Sequence, residues 1–157
     1  MKHHLVLKTV VLLTLANSIE VFAHCEVPCG IYADQRRFEE MLEDTATINK
    51  AIEQIRELSK SLEANTDALA INQVARWVST KEAHATNTQH IIAQYFMTQR
   101  IKSSAEGYVG KLKAAHAVMV KAMKCKQTAD PAMAENLEKA ILDFYRAYEG
   151  KEPHFHD

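Results

Sequence analysis

From residue 34 almost to the C-terminus, apolar side chains return every three or four positions. The first series runs Phe38, Met41 or Leu42, Thr45, Ile48, Ile52, Ile55 and Leu58, which draws one stripe down an amphipathic helix. Asp34 is placed to cap its start, and the polar run at 61–67 ends it. A second helix is predicted from Thr66 or Asp67 to the region of 99–102. Its inward stripe is Leu69, Val74, Trp77 or Val78, Ala85, Thr88, Ile91 or Ile92, and Tyr95 or Phe96. A third follows the segment SSAE at 103–106, whose Ser103 and Glu106 have capping-box spacing. It turns Tyr108 or Val109, Leu112, Ala115, Met119 and Met123 inward. Asp130 and Pro131 open a fourth: the aspartate accepts free N–H groups, and proline fits the first helical position, where its missing N–H has no partner to lose. Met133, Leu137, Ile141, Phe144 and Tyr148 repeat inward along it, and Gly150 and Pro153 close it.

Four such segments joined by short links predict an all-α, up-and-down four-helix bundle over residues 33–157, with a short C-terminal tail. Only four glycines and three prolines interrupt the chain, which suits long helices better than a sheet-rich fold. The stripes also claim Trp77, Phe96, Phe144, Met119 and Met123 as core, so none of them marks a cofactor by its spacing.

The N-terminal end follows a different pattern. Lys2, the apolar run LVLKTVVLLTLA and the closing VFA read as a secretory signal over 1–23, cut after Ala23. Lys8 divides the run, and a membrane span needs about 20 apolar residues, so no stable membrane anchor is expected. Signal peptidase is the implied maturation partner, and the mature chain is expected to be exported, to a periplasm or the extracellular medium. Of 19 Lys and Arg and 20 Asp and Glu, only Lys2, Lys8 and Glu20 precede residue 24. The remainder is slightly acidic and holds no basic block of the kind that marks a nucleic acid partner.

Cleavage there makes His24 a new N-terminus, and this changes the chemistry of the segment HCEVPCGIY at 24–32. An α-amine, an imidazole, the Cys25 and Cys29 thiolates and the Cys25 amide nitrogen then lie within six residues. Two thiolates and two nitrogens suit Ni(II) or Cu(II) when tetragonal and zinc when tetrahedral. A zinc site of this type expects a second ligand pair downstream, and no second thiol pair follows. A Cys25–Cys29 disulfide remains the alternative, since exported proteins often form them, and the cysteine pattern alone does not choose. Cys125 reads as a semi-buried or incidental thiol. Pro28 and Gly30 favour a tight bend between the two cysteines' surroundings and the chain that follows.

The segment at 24–32 resembles the N-terminal hook of nickel-containing superoxide dismutases, whose pattern is H-C-x-x-P-C-G-x-Y; six positions match over nine residues. The resemblance implies a four-helix bundle assembled as a homohexamer, a nickel ion (Ni2+/Ni3+) as cofactor, and superoxide as substrate, disproportionated to hydrogen peroxide and oxygen. It implies His24, Cys25 and Cys29 as metal ligands and Tyr32 as the tyrosine that screens the metal and orders water or substrate. Glu40 matches a first-helix glutamate that positions the hook histidine. The segment KEAHA at 81–85 is similar to the family's Lys-Glu-x-Arg-Ala, so His84 stands where an arginine helps hold the hook of another subunit. Tyr95, in IIAQYF at 91–96, resembles the second tyrosine close to the nickel. Lys81 and Lys102 are candidates for drawing an anion to a net-acidic protein. The competing expectation is an exported helical bundle that carries or senses a metal without catalysis; His154 and His156 in the tail favour it as extra ligands.

Overall fold

The computed structural model describes residues 34–64 and 67–155. Residues 1–33, and with them the expected signal segment, His24, Cys25, Cys29 and Tyr32, lie outside the described residues, as does His156.

Helix α1 spans Gln35–Ala64, α2 spans Ala68–His90, α3 Tyr108–Gln127 and α4 Pro131–Glu149. From His90 the second helix continues unbroken but widens, so that Ile91–Arg100 is π-helical. The wider register is visible in bonds that reach back five residues: Ile101 N–H to the Phe96 carbonyl at 2.8 Å, and the Thr98 hydroxyl to the Ala93 carbonyl at 2.7 Å. Each helix packs on its sequence neighbours, and α4 returns to close on α1. This is the up-and-down bundle the periodicity predicts, and the described residues contain no strand. None of their helices is long and apolar enough to cross a membrane.

The stripe of α1 is buried as expected at Phe38, Met41, Thr45, Ile48, Ile52 and Ile55. Its rings gather at one end of the bundle. Phe38 lies 4.8 Å from Phe96, 5.2 Å from Phe144 and 4.9 Å from Tyr145, centroid to centroid, in the tilted and edge-on arrangements that aromatic quadrupoles favour. Helix α4 begins as read: Asp130 accepts from the Ala132 N–H at 3.0 Å, and Pro131 follows. It ends on Gly150, whose φ of 71° is a left-handed conformation that a residue with a Cβ adopts only at a cost.

Three expectations change, and the tail takes a definite place. The N-terminal end of α2 turns inward only in part: Val74 and Trp77 are half-buried, while Leu69 is 64% exposed and Val78 lies on the surface. Met123 is likewise exposed, and Val118, Ala122 and Cys125 take the inward positions of α3. Ser103 and Glu106 form no capping box; α3 starts after Gly107, in a left-handed conformation and with no side-chain cap. The tail after Gly150 is docked. Phe155 stacks edge-on against Tyr145 at 5.2 Å, Arg146 grips Glu152 at 2.8 Å, and the Gln35 amide donates to the His154 carbonyl at 3.3 Å.

Candidate active site

Asp34 is the first described residue after the hook segment, and the structure gives it a different task from helix capping. It is 9% exposed, and three side chains from other parts of the chain converge on its carboxylate. Tyr95 Oη donates to Oδ1 at 2.5 Å, Arg100 donates to Oδ2 through Nε at 3.0 Å and through an Nη at 2.8 Å, and Tyr148 Oη donates to Oδ2 at 2.7 Å. Burial is the largest influence on Asp34 and pushes its pKa up. The bonds from Arg100, Tyr95 and Tyr148, with the charge of Arg100, outweigh it and hold the carboxyl below its ordinary value. The same contact acts on the phenols in the opposite sense. Burial, then the bond and charge of Asp34, push Tyr95 up to about 12, and the same causes raise Tyr148 further. Both remain neutral donors at any ordinary pH. Arg37 lies over the Tyr95 ring, 5.1 Å from its centroid.

One to three turns further along α1 a second polar chain links it to α2. Glu40 accepts from Arg37 at 2.7 Å on one oxygen and from the Asn87 amide at 3.2 Å on the other. Asn87 also donates to Asp44 at 3.0 Å, and the Thr88 hydroxyl donates to the same carboxylate at 3.2 Å. His84 Nδ1 stands 2.7 Å from Asp44 Oδ1. A carboxylate oxygen accepts there, so Nδ1 carries the proton and only Nε2 can serve another group. Burial raises the Asp44 pKa, against the opposing bonds from His84, Asn87 and Thr88.

The structure therefore places the Tyr95 hydroxyl on the carboxylate of Asp34, ties Glu40 to Arg37 and Asn87, and ties His84 to its own chain through Asp44. Asp34, Arg100, Tyr148, Asn87 and Asp44 were not singled out as site residues by the sequence. Lys81 has a role other than attracting an anion. It is 3% exposed, and its ammonium donates to the carbonyls of Cys125 and Lys126 at 2.6 and 2.7 Å and to Glu82 at 3.2 Å. It closes the C-terminal end of α3, where free carbonyls and the helix dipole favour a cation. Lys102 is exposed. Cys125 is buried, its Sγ donating to the Met133 carbonyl at 3.3 Å, and burial pushes its thiol up to about 11. Among the described residues no group of three or more His, Cys, Asp or Glu side chains is arranged to hold a metal ion.

A sequence profile of nickel-containing superoxide dismutases matches residues 19–152. The chain belongs to that family. Membership makes it an oxidoreductase whose metal is nickel, and the matched span takes in both the hook segment and the four helices. No curated protein and no solved structure matches the sequence at a significant level.

Proposed function

We propose that the exported, mature chain starts at His24 and removes superoxide at a nickel ion held by His24, Cys25 and Cys29. What carries the reading is the family match across 19–152 together with the ligand chemistry of 24–29. The donor set fits the ion: an amine, an imidazole, an amide nitrogen and two thiolates make a sulfur- and nitrogen-rich set of the tetragonal kind that nickel accepts. Cys125 is no part of this set: it is buried in the bundle with its Sγ donating to the Met133 carbonyl at 3.3 Å.

A nickel ion held by His24, Cys25 and Cys29 would supply one-electron redox chemistry, between its divalent and trivalent states, for the disproportionation of superoxide to oxygen and peroxide. The chain's own residues do the rest. Glu40 keeps lone pairs on both carboxylate oxygens beyond those used by Arg37 and Asn87, so it can accept the ring N–H of a ligating His24 and hold that ring in orientation. By resemblance Tyr32 and Tyr95 are the two tyrosines close to the metal, and Asp34 holds the Tyr95 hydroxyl. The two phenols order the water from which peroxide takes its two protons. His84 offers Nε2 to the hook of a neighbouring subunit, in the place of the family's arginine. A homohexamer gives the exposed Leu69, Ile71 and Val78 of α2 an apolar surface to bury.

The test is made on the purified mature protein: N-terminal sequencing, metal content and superoxide removal. The reading expects His24 as the first residue, nickel in stoichiometric amount and rapid removal of superoxide. A chain that begins at His24 but holds copper or zinc and leaves superoxide untouched is a metal carrier, and overturns it.

A further inference from the structure

We propose that Asp34 is a positioning residue for superoxide turnover: its carboxylate fixes, in one place, the direction of the Tyr95 hydroxyl and the point from which the hook departs. The proposal rests on the reading of residues 24–32 as the nickel hook. An aspartate at a helix start ordinarily turns its carboxylate to the first N–H groups of its own helix. Here both oxygens are taken by Tyr95, Arg100 and Tyr148, which lie 61, 66 and 114 residues away. The root of the hook is thereby tied to the ends of α2 and α4 at once.

The widened stretch of the second helix makes this convergence possible. At about 3.6 residues per turn, two α-helical side chains five positions apart point about 140° away from each other. In the π register residues five apart are bonded and stack one above the other. Tyr95 and Arg100 are five apart within Ile91–Arg100, and both reach the one carboxylate.

The contact also sets which hydrogen-bonding role Tyr95 can play. Its single proton lies toward Asp34 at 2.5 Å, so toward anything else the hydroxyl presents only lone pairs. Tyr95 therefore orients a water or a hook N–H as an acceptor, and it does not itself deliver a proton to the forming peroxide. The raised pKa of about 12 agrees, since a phenol held that tightly is a poor acid at neutral pH. Asp34 acts on the reaction through the direction it gives that oxygen and through its tie to Arg100 and Tyr148, without touching the reacting atoms.

The test compares wild type, Asp34→Asn, Tyr95→Phe and the double variant. In metal-free protein, tyrosinate absorbance is titrated with base, the Tyr95 component being assigned by its loss in Tyr95→Phe. Asp34→Asn is expected to lower that component, because the carboxylate's charge and bond are gone, while burial, the larger cause, still holds it above its ordinary value. In nickel-loaded protein, Asp34→Asn is expected to keep its nickel and helix content and to lose about 10- to 100-fold in turnover, the scale of a misplacement near 1 Å. The double variant should lose no more than the worse single one, as for two residues acting through one contact. Wild-type turnover in nickel-loaded Asp34→Asn overturns the proposal, as do losses that multiply in the double variant. Should Asp34→Asn not fold, Tyr148→Phe removes one of the donors on Oδ2 and should still cost turnover several-fold; full turnover in that variant also overturns it. A wild-type protein without nickel or superoxide removal overturns the hook reading instead, and the tyrosine titration then decides by itself whether Asp34 governs Tyr95.

Discussion

Replacing Lys81 by methionine separates two roles that a lysine in an anion-consuming enzyme can have. Methionine keeps the length and apolar stem of the side chain and removes the ammonium. In the structure that ammonium holds the carbonyls of Cys125 and Lys126 at 2.6 and 2.7 Å, with Glu82 at 3.2 Å. Hydrogen bonds from a charged donor contribute about 1.5–3 kcal/mol each, so the two carbonyl bonds together amount to roughly 3–6 kcal/mol. Against this, the variant no longer has to strip water from a buried charge. The net expectation is a loss of about 2–4 kcal/mol. At about 4 °C per kcal/mol for a domain of this size, the melting temperature should fall by about 8–16 °C. Circular dichroism melts and urea unfolding, both at one protein concentration, measure it. Superoxide turnover at 25 °C, and its dependence on added salt, should stay at the wild-type level, because the ammonium is offset by Glu82 at 3.2 Å and tied to two backbone carbonyls. A stability change below about 0.5 kcal/mol would refute the helix-end role, that being the range of an ordinary surface substitution. A turnover loss that salt abolishes in the wild type would return Lys81 to the part of a steering charge.

Three further expectations follow from the same contacts. Phe38→Ala empties the centre of the ring cluster formed with Phe96, Phe144 and Tyr145 and should cost about 3–5 kcal/mol; chemical denaturation showing less than about 1 kcal/mol would contradict the packing. The clamp on Asp34 has a definite pH dependence. Its folded pKa is lowered, so its contribution is complete above the unfolded value of about 3.9 and is lost as pH falls through the lower folded value. The stability gap between wild type and Asp34→Asn, from urea unfolding, should therefore be constant from pH 5 to 7 and shrink below pH 4; a gap that grows on acidification would be contrary to it. Cys125, buried with its thiol pushed up to about 11, should resist a water-soluble disulfide reagent at pH 8 in the native protein and react promptly in denaturant, as thiol counting against time will show.

What the sequence made legible depended on the range of the interactions involved. Asp130, Pro131 and Gly150 act on backbone groups within a few residues, and the start and stop of α4 were read from them directly. Asp34 looks the same at that range, an aspartate in front of an apolar helix, and its position alone predicts a cap. Its actual partners are 61 to 114 residues away, and only the closed bundle shows them. The spacing of Leu69 and Val78 obeys helical period as faithfully as that of Ile91 and Phe96. Period cannot say that one end of a helix leaves its neighbours, and the burial of Ile91 and Phe96 against the exposure of Leu69 and Val78 supplies that information. Lys81 was misassigned for a related reason, since its acceptors are backbone carbonyls on α3, which leave no mark in a pattern of side chains. The proposed metal ligands are the reverse case. They were read from six residues of sequence and lie before the first described residue, while Glu40 and Tyr95, named by resemblance, are held by side chains that resemblance did not name.

The central claim is that the amine of His24 is a nickel ligand and exists only after processing. Its most direct test compares the chain starting at His24 with the same chain carrying one additional residue before it, which turns that amine into an amide. Nickel content and superoxide removal are measured on both, with helix content as the control. The account predicts that the extended chain keeps its helices and loses tight nickel binding and superoxide removal, both restored when the added residue is cut off. Full nickel occupancy and undiminished removal of superoxide by the extended chain would contradict it.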